Sequence, residues 1–565
     1  MNSSRPLSVI FCWHMHQPFY RAADDGRYHL PWVYLHAIKE YTDMAELLAE
    51  APEGTRAVVN FVPSLTEQIE DYARHLHLWR QEHHTLPDPL LTLLARDDGR
   101  YTSEERDYLR TACFRIQHER NLYRYPPYAR LKAIADFARQ QQCAHYLDNR
   151  FFVDLVVWYH LGWLAETVRA SHPTAERLLA KGEGFDWEDR RALIDLIAEL
   201  LAEVTGRYGR LADQGRVELS TTPYAHPILP LLLDFHAARE TVPDARIPAE
   251  PYPGGKARAQ HHIQLARECH RHSFGRAPVG CWPAEGAVST EALALLGEAG
   301  FAWCATGEAV LHHSLGYNLR ERQPHALYQP WRVGGGDHAI TCFFRDDRLS
   351  DKIGFEYAKW ATSDAVADLI RELQIVRHRS QSAARPVVVI AMDGENAWEH
   401  YEANGIPFLR QLYRAVVEHP DLEMTTFADY LAGTRPEEIP TLPRLVAGSW
   451  VFGNLATWIG DAAKNRGWEL LIAAKKAVDR AWPELDEGRR AQVSEQLAIC
   501  EGSDWCWWFG DYNPSEAVRD FDHLYRRHLA RLYTLIGAPP PEALSLPISH
   551  GGGDAEGGGT MRRGG

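Results

Sequence analysis

The chain has no Cys-x-x-Cys pair, no apolar run long enough to cross a membrane, no internal repeat and no excess of basic residues. Each absence removes a class of protein. Nine scattered cysteines, odd in number, offer neither a disulfide framework nor a zinc knuckle, so a reducing compartment is expected and the protein is read as cytoplasmic. Nothing approaches the roughly 18 apolar residues of a spanning helix, and the short run Leu7 to Trp13, followed by no small-residue cleavage site, does not read as a signal peptide. A formal charge of −15 argues against a nucleic-acid partner, which would want a basic face, and suits a neutral substrate.

What is present is length and apolar content. The 565 residues, 45% of them hydrophobic, can bury a large core and exceed one typical domain. Seven short apolar segments read as strands: Ser8 to His14, Arg56 to Val62, Val217 to Thr222, Val279 to Glu285, Phe301 to Gly307, Ala339 to Arg345 and Pro386 to Asp393. Their connections are too long for hairpins. Strands separated by helix-length segments imply βα units, a parallel sheet and, on closure, an incomplete (β/α)7 barrel, an α/β architecture.

The organisation follows from the interruptions. Residues about 65 to 215 carry apolar side chains at helical spacing, as in Phe151, Leu155, Trp158, Leu161 and Leu164, so a helical insertion splits the barrel after its second strand. The barrel domain is expected to occupy 1–435 and an α-helical C-terminal domain 436–540, beginning with the Pro-rich connection Pro436 to Pro443. Residues 541–565 are Gly-rich and are expected to be a disordered tail.

Two acids stand alike at strand ends. Glu285 follows Gly280-Cys281-Trp282-Pro283-Ala284, Asp393 follows Val387 to Met392, and each is followed by glycine. At the C-terminal face of a barrel βα-loops assemble active sites, and two carboxylates facing one cleft are what glycosidic cleavage needs. The bland alternative is that each acid caps the next helix or pairs with an arginine. Polar company weighs against it: His14 and His16 alternate along the first strand and so point the same way, and Glu218 is followed by His226 in a rigid Pro-Tyr-Ala-His-Pro loop. Imidazoles and carboxylates hold sugar hydroxyls in fixed directions. Trp282, Trp398, Trp458, Trp505, Trp507 and Trp508 are candidates to stack on sugar faces, with core packing the competing role.

These residues carry a resemblance. His14-Met15-His16-Gln17-Pro18, Gly215-Arg216-Val217-Glu218-Leu219 with Tyr224-Ala225-His226-Pro227, Trp282-Pro283-Ala284-Glu285, Asp393-Gly394-Glu395-Asn396-Ala397-Trp398-Glu399, and Thr457-Trp458-Ile459-Gly460 with Lys464-Asn465-Arg466 resemble, in order, the motifs of glycoside hydrolase family 57. That family comprises α-glucan-active amylases, amylopullulanases, 4-α-glucanotransferases and branching enzymes. The resemblance implies a (β/α)7 barrel followed by a helical domain, Glu285 as nucleophile, Asp393 as general acid/base, an α-glucan substrate, a retaining mechanism and no cofactor or metal. His14, His16, Glu218 and His226 would hold the glucosyl unit. Asn396 to Glu399, where many members continue with His-Phe-Gly, resembles the amylopullulanase-like branch, and His16-Gln17-Pro18 departs from the His-Leu-Pro of branching enzymes. Hydrolysis of α-1,4 and α-1,6 bonds is therefore the first expectation; glucan transfer or branching on the same scaffold is the second.

Two other classes remain open at this stage. A metal-dependent polysaccharide deacetylase or α-mannosidase would use His14, His16 and Asp393 as ligands, although no His-x-Asp first-strand motif is present. A glucan-binding protein without turnover would need neither acid. Linkage preference, chain length and oligomeric state are not legible.

Overall fold

Residues 387–391 read Val-Val-Val-Ile-Ala, a β-branched run with no polar face, and such a run is stable only where both faces of a strand are covered. The computed structural model, which describes residues 5–22, 24–335 and 338–553, puts them in the wall of a closed parallel barrel. Among the described residues ten strands are formed: β1 (Leu7–Met15), β2 (Ala57–Phe61), β3 (Val217–Thr221), β4 (Gly280–Cys281), β5 (Trp303–Gly307), β6 (Trp331–Val333), β7 (Ile340–Arg345), β8 (Val387–Asp393), β9 (Leu422–Met424) and β10 (Thr441–Leu442). Seven of them, β1, β2, β3, β4, β5, β7 and β8, pair in that order, all parallel, and β8 returns to β1. These are the seven segments read as strands from the sequence. β6 runs antiparallel to β7 and carries β10, while β9 fills the edge of β1 at Leu7 to Val9, below the reach of β2.

Strand β4 is shorter than expected. Trp282 N still donates to Thr221 O at 2.9 Å, but Pro283 has no N–H to give and Glu285 turns to φ +56°, so the ladder ends and the acid is lifted out of it.

Between β2 and β3 the chain is helical, from Pro63–Glu82 to Trp187–Asp213. The helix Asn149–Trp163 is buried on every side from Phe151 onward, which accounts for its lack of a polar face. After β10 four helices, Ala462–Ala481, Glu487–Cys500, Asp504–Trp508 and Ser515–Leu535, pack beside the barrel. Among the described residues no helix is long and apolar enough to cross a membrane.

The expectation of a disordered tail from 541 is corrected for its first part. Glu542–Ser545 forms a 3-10 turn with Leu544 buried, Ile548 N donates to Asp522 Oδ1 at 2.7 Å, and Gly510 N donates to Ser549 Oγ at 3.1 Å. Leu544 and these bonds supply the anchorage that a count of glycines overlooks. Residues 554–565 lie outside the described residues.

Candidate active site

In a parallel barrel all strand C-termini meet at one end, so residues at matching heights become neighbours. His14 on β1 is in register with Asn60 on β2 and with Asp393 on β8. Its Nδ1 lies 2.7 Å from Asn60 Oδ1, and its Nε2 lies 3.2 Å from His226 Nε2. Thr222 Oγ1 donates to the same Asn60 oxygen, and the Asn60 amide donates to Ser220 Oγ, so that oxygen must accept from His14. His14 therefore carries its proton on Nδ1 and accepts from His226 Nε2–H, leaving His226 Nδ1 to accept from Ser503 Oγ at 2.8 Å. Burial, then repulsion by His16, pushes the His14 pKa down to about 3, and burial pushes His226 well below the usual histidine value, so both rings are neutral.

His16 stacks on His226 at 3.7 Å between centroids, and its Nε2 lies 2.7 Å from Asp504 Oδ1. Among the described residues, His16, His226 and Asp504 are the group with donor atoms close enough, within 4.8 Å, to suggest a metal. A metal lies in the plane of each imidazole it binds, and two rings stacked at that distance have no common in-plane point near both nitrogens. Both His226 nitrogens, His16 Nε2 and Asp504 Oδ1 are instead engaged in hydrogen bonds. Of the set named above for a metal enzyme, both His14 nitrogens, His16 Nε2 and Asp393 Oδ2 are likewise engaged, and His16 Nδ1 is buried without a partner.

The two acids line one cleft with His14, His16, Gln17, Arg345, Glu395, Trp450 and Asp504, around a cavity of about 110 Å³. Glu285 sits in the left-handed region, which costs a non-glycine residue roughly 1–3 kcal/mol, so the surroundings must hold it there. Its Oε2 accepts from Trp450 Nε1–H at 3.0 Å. Asp393 accepts from the Asn396 amide at 3.0 Å, and burial pushes its pKa up to about 6 against the pull of Asn396, His16 and Arg345. Glu395, two residues on and 2% exposed, is pushed well above the usual range by burial and then by Asp393. A neutral Glu395 spares Asp393 a second negative charge.

The tryptophans divide by helix geometry. In Asp504–Trp508 positions 504, 507 and 508 share a face, which lines the cleft with Asp504, Trp507 and Trp508. Trp505 points the other way and stacks on Tyr525 at 5.3 Å, so its expected sugar contact is corrected to a packing role. The same correction applies to Trp398, fully buried with its N–H on Gly394 O, to Trp458, buried against Trp507, and to Trp282, buried edge-on to Trp450.

Glu218 is corrected most. It is the second residue of β3, hence at the N-terminal end of the barrel, away from the cleft; Trp303 Nε1 and Ala428 N donate to its two oxygens at 2.7 and 2.9 Å. Burial pushes its pKa up to about 7. In Glu218→Gln an amide NH2 would oppose one of these donors, so a loss of about 1–3 kcal/mol in denaturant unfolding is expected while kcat/KM of the folded protein stays within about twofold. A tenfold fall in turnover at unchanged stability would return Glu218 to the substrate.

Sequence reasoning missed Arg345, Glu395, Trp450 and Asp504. Glu395 stands inside the quoted motif that begins at Asp393, and Asp504 directly precedes the candidate Trp505, so both were available as acids near a strand end and a helix start; Trp450, in the irregular segment after β10, has no periodic signal at all.

A sequence profile described as Glycosyl hydrolase family 57 matches residues 10–443, more than half of the chain. Among solved structures, a branching enzyme from Thermococcus kodakaraensis is similar at TM-score 0.57 and 15% identity, over 94% of this chain and 90% of that one. The alpha-amylase AmyC from Thermotoga maritima gives 0.57 at 13% identity over 96% of each chain. A 4-alpha-glucanotransferase from Thermococcus litoralis gives 0.51 at 13%, over 94% of this chain and 60% of that one. At such identities the likeness speaks for the fold alone. No curated protein matches the chain.

Proposed function

Since the chain belongs to glycosyl hydrolase family 57, we propose that it cleaves glycosidic bonds of α-glucans with net retention, with Glu285 as nucleophile and Asp393 as general acid/base. The observation that carries this reading is the pair of carboxylates in one cleft with different surroundings. Glu285 accepts a hydrogen bond that favours its ionised form, whereas burial keeps Asp393 protonated up to about pH 6. Asp393 gives its proton to the leaving oxygen as a Glu285 oxygen attacks the anomeric carbon. In the second half Asp393 takes a proton from water or from a sugar hydroxyl, whose oxygen bonds to the anomeric carbon as the glycosyl–Glu285 bond breaks and the Glu285 carboxylate is released.

The neutral ring of His14 and the faces of Trp507 and Trp508, which line the cleft, suit an uncharged sugar, while His226, fully buried, reaches it only through His14 and His16. The amylopullulanase-like form of the fourth motif favours hydrolysis of α-1,4 and α-1,6 bonds. The similar solved structures, which include a branching enzyme and a glucanotransferase, keep transfer as the second reading. Chromatography of products from maltoheptaose, pullulan and glycogen tests the reading: no product of any kind from all three would sink it, and longer or branched products would favour transfer.

A pH dependence follows. The acid must hold its proton to act, so kcat/KM is expected to fall as pH rises through about 6, the value to which burial lifts Asp393. An initial-rate profile from pH 4 to 9 checks this. A profile flat to pH 8 would assign the proton to another group.

A further inference from the structure

Glu285 is held from two sides by one residue that lies outside the barrel. The main-chain N–H of Trp450 donates to the Glu285 carbonyl at 3.2 Å, and its indole Nε1–H donates to the Glu285 carboxylate at 3.0 Å. Trp450 is itself fixed. Its segment is laced to the loop after β4 by a two-way bridge, Val288 N to Gly448 O at 2.8 Å and Gly448 N to Val288 O at 3.1 Å. Ser449 Oγ accepts from Val451 N at 3.0 Å and donates to Asn454 O at 2.8 Å, closing the turn around the tryptophan. The approach is so close that a Cβ on Gly307 would stand 2.7 Å from Trp450 Cα.

The ring is held as firmly as the backbone. Trp282 packs edge-on at 5.1 Å, and the Arg345 guanidinium lies over the indole with Cζ 5.1 Å from its centroid. Arg345 is 5% exposed and anchored by Asp351 at 2.9 Å and Asp347 at 3.2 Å. A cation over the face holds the ring plane and strengthens the N–H as a donor.

Resting on the reading of Glu285 as nucleophile, we propose that Trp450 is a positioning residue for that carboxylate and Arg345 its clamp. A carboxylate nucleophile attacks through one oxygen. An N–H fixed on Oε2 orients the group so that its other oxygen faces the anomeric carbon, and it stabilises the ionised form. It also counters the left-handed strain at Glu285, because the same residue ties the acid's backbone and its side chain. The segment that follows the barrel thus shapes the nucleophile directly, and a barrel cut away from it would carry both acids with one of them loose.

Trp450→Phe removes the N–H and keeps most of the ring. Expected with maltoheptaose are a fall in kcat of about 10- to 100-fold, KM within about threefold, and an acid limb of kcat/KM displaced upward by about one pH unit. Arg345→Gln should move both in the same direction by less. Lost packing alone would lower the folded fraction and leave the acid limb in place, so a wild-type limb in Trp450→Phe overturns the inference. A second measurement is independent of turnover: in protein labelled with 15N-tryptophan, the indole resonance missing from Trp450→Phe should titrate with Glu285 and cease to titrate in Glu285→Gln. A resonance indifferent to pH overturns the contact. Full turnover by Glu285→Gln would instead end the parent reading, with the titrating resonance still testifying to the contact.

Discussion

Glu285→Gln and Asp393→Asn are each expected to lower kcat/KM by at least about 10³-fold while leaving the unfolding midpoint close to that of the wild type, a loss worth about 4 kcal/mol of transition-state stabilisation. The amides keep volume and shape. Glu285→Gln removes the attacking oxygen's charge, and its NH2 can still be turned away from Trp450 Nε1, which keeps an acceptor. Asp393→Asn removes the transferable proton but retains an acceptor for the Asn396 amide. The two losses should differ in kind: an activated substrate with a good leaving group needs little protonation, so it should restore glycosyl-enzyme formation to Asp393→Asn and not to Glu285→Gln. Near-normal turnover by either variant would remove that residue from its role.

The second large effect concerns the joint between barrel and helical region. Glu501, at the end of Glu487–Cys500, is fully enclosed and receives Arg258 Nε and Nη2, each at 2.8 Å, His262 Nε2 at 2.7 Å and the Tyr252 hydroxyl. Burial opposes its charge, yet Arg258 and His262 hold its pKa at about 2. Because this value is depressed below the usual 4.5, the carboxylate contributes stability that is present above about pH 4.5 and lost as pH falls toward 2. Glu501→Leu would strand a buried guanidinium, and about 3–5 kcal/mol of stability is expected to go with it, read from denaturant unfolding. Asp504 and Trp507 follow within two turns, so the wall of the cleft should loosen as well and KM should rise. The double variant Arg258→Met/Glu501→Leu should recover most of the stability, since the cost lies in the unpaired charge more than in the pair. If the single variant lost less than about 1 kcal/mol, water would have to reach Arg258, and the joint would be wetter than its enclosure indicates.

The seven barrel strands were legible because burial on both faces writes itself as short runs rich in β-branched residues between turn signals, as in Val387 to Ile390. The end of β4 was not, because Pro283 and the left-handed Glu285 interrupt a run whose side chains still look strand-like. Glu218 shows a different limit. A polar residue inside a strand pattern signals that something binds it, and the signal is the same whether the partner is a sugar at the C-terminal end or Trp303 and Ala428 at the other. Only its place as the second residue of β3 separates the two, and a strand boundary is the least certain part of any pattern.

By itself the sequence determined the seven strands of the barrel wall and the helical stretches between and after them, and that two acids stand where parallel strands end, because those properties depend on local periodicity and on residues adjacent in the chain; the short strands β6, β9 and β10 carry too few residues to show a period. Tertiary structure alone decided what surrounds those acids. It brought Trp450 onto Glu285 across 165 positions and Asp504 onto His16 across 488. It also turned Trp505 inward while Trp507 and Trp508 face the cleft. The physical reason is that hydrogen bonding, desolvation and ring contact act between neighbours in space, and closing a barrel with helices packed beside it makes neighbours of residues whose separation in sequence carries no trace of the contact.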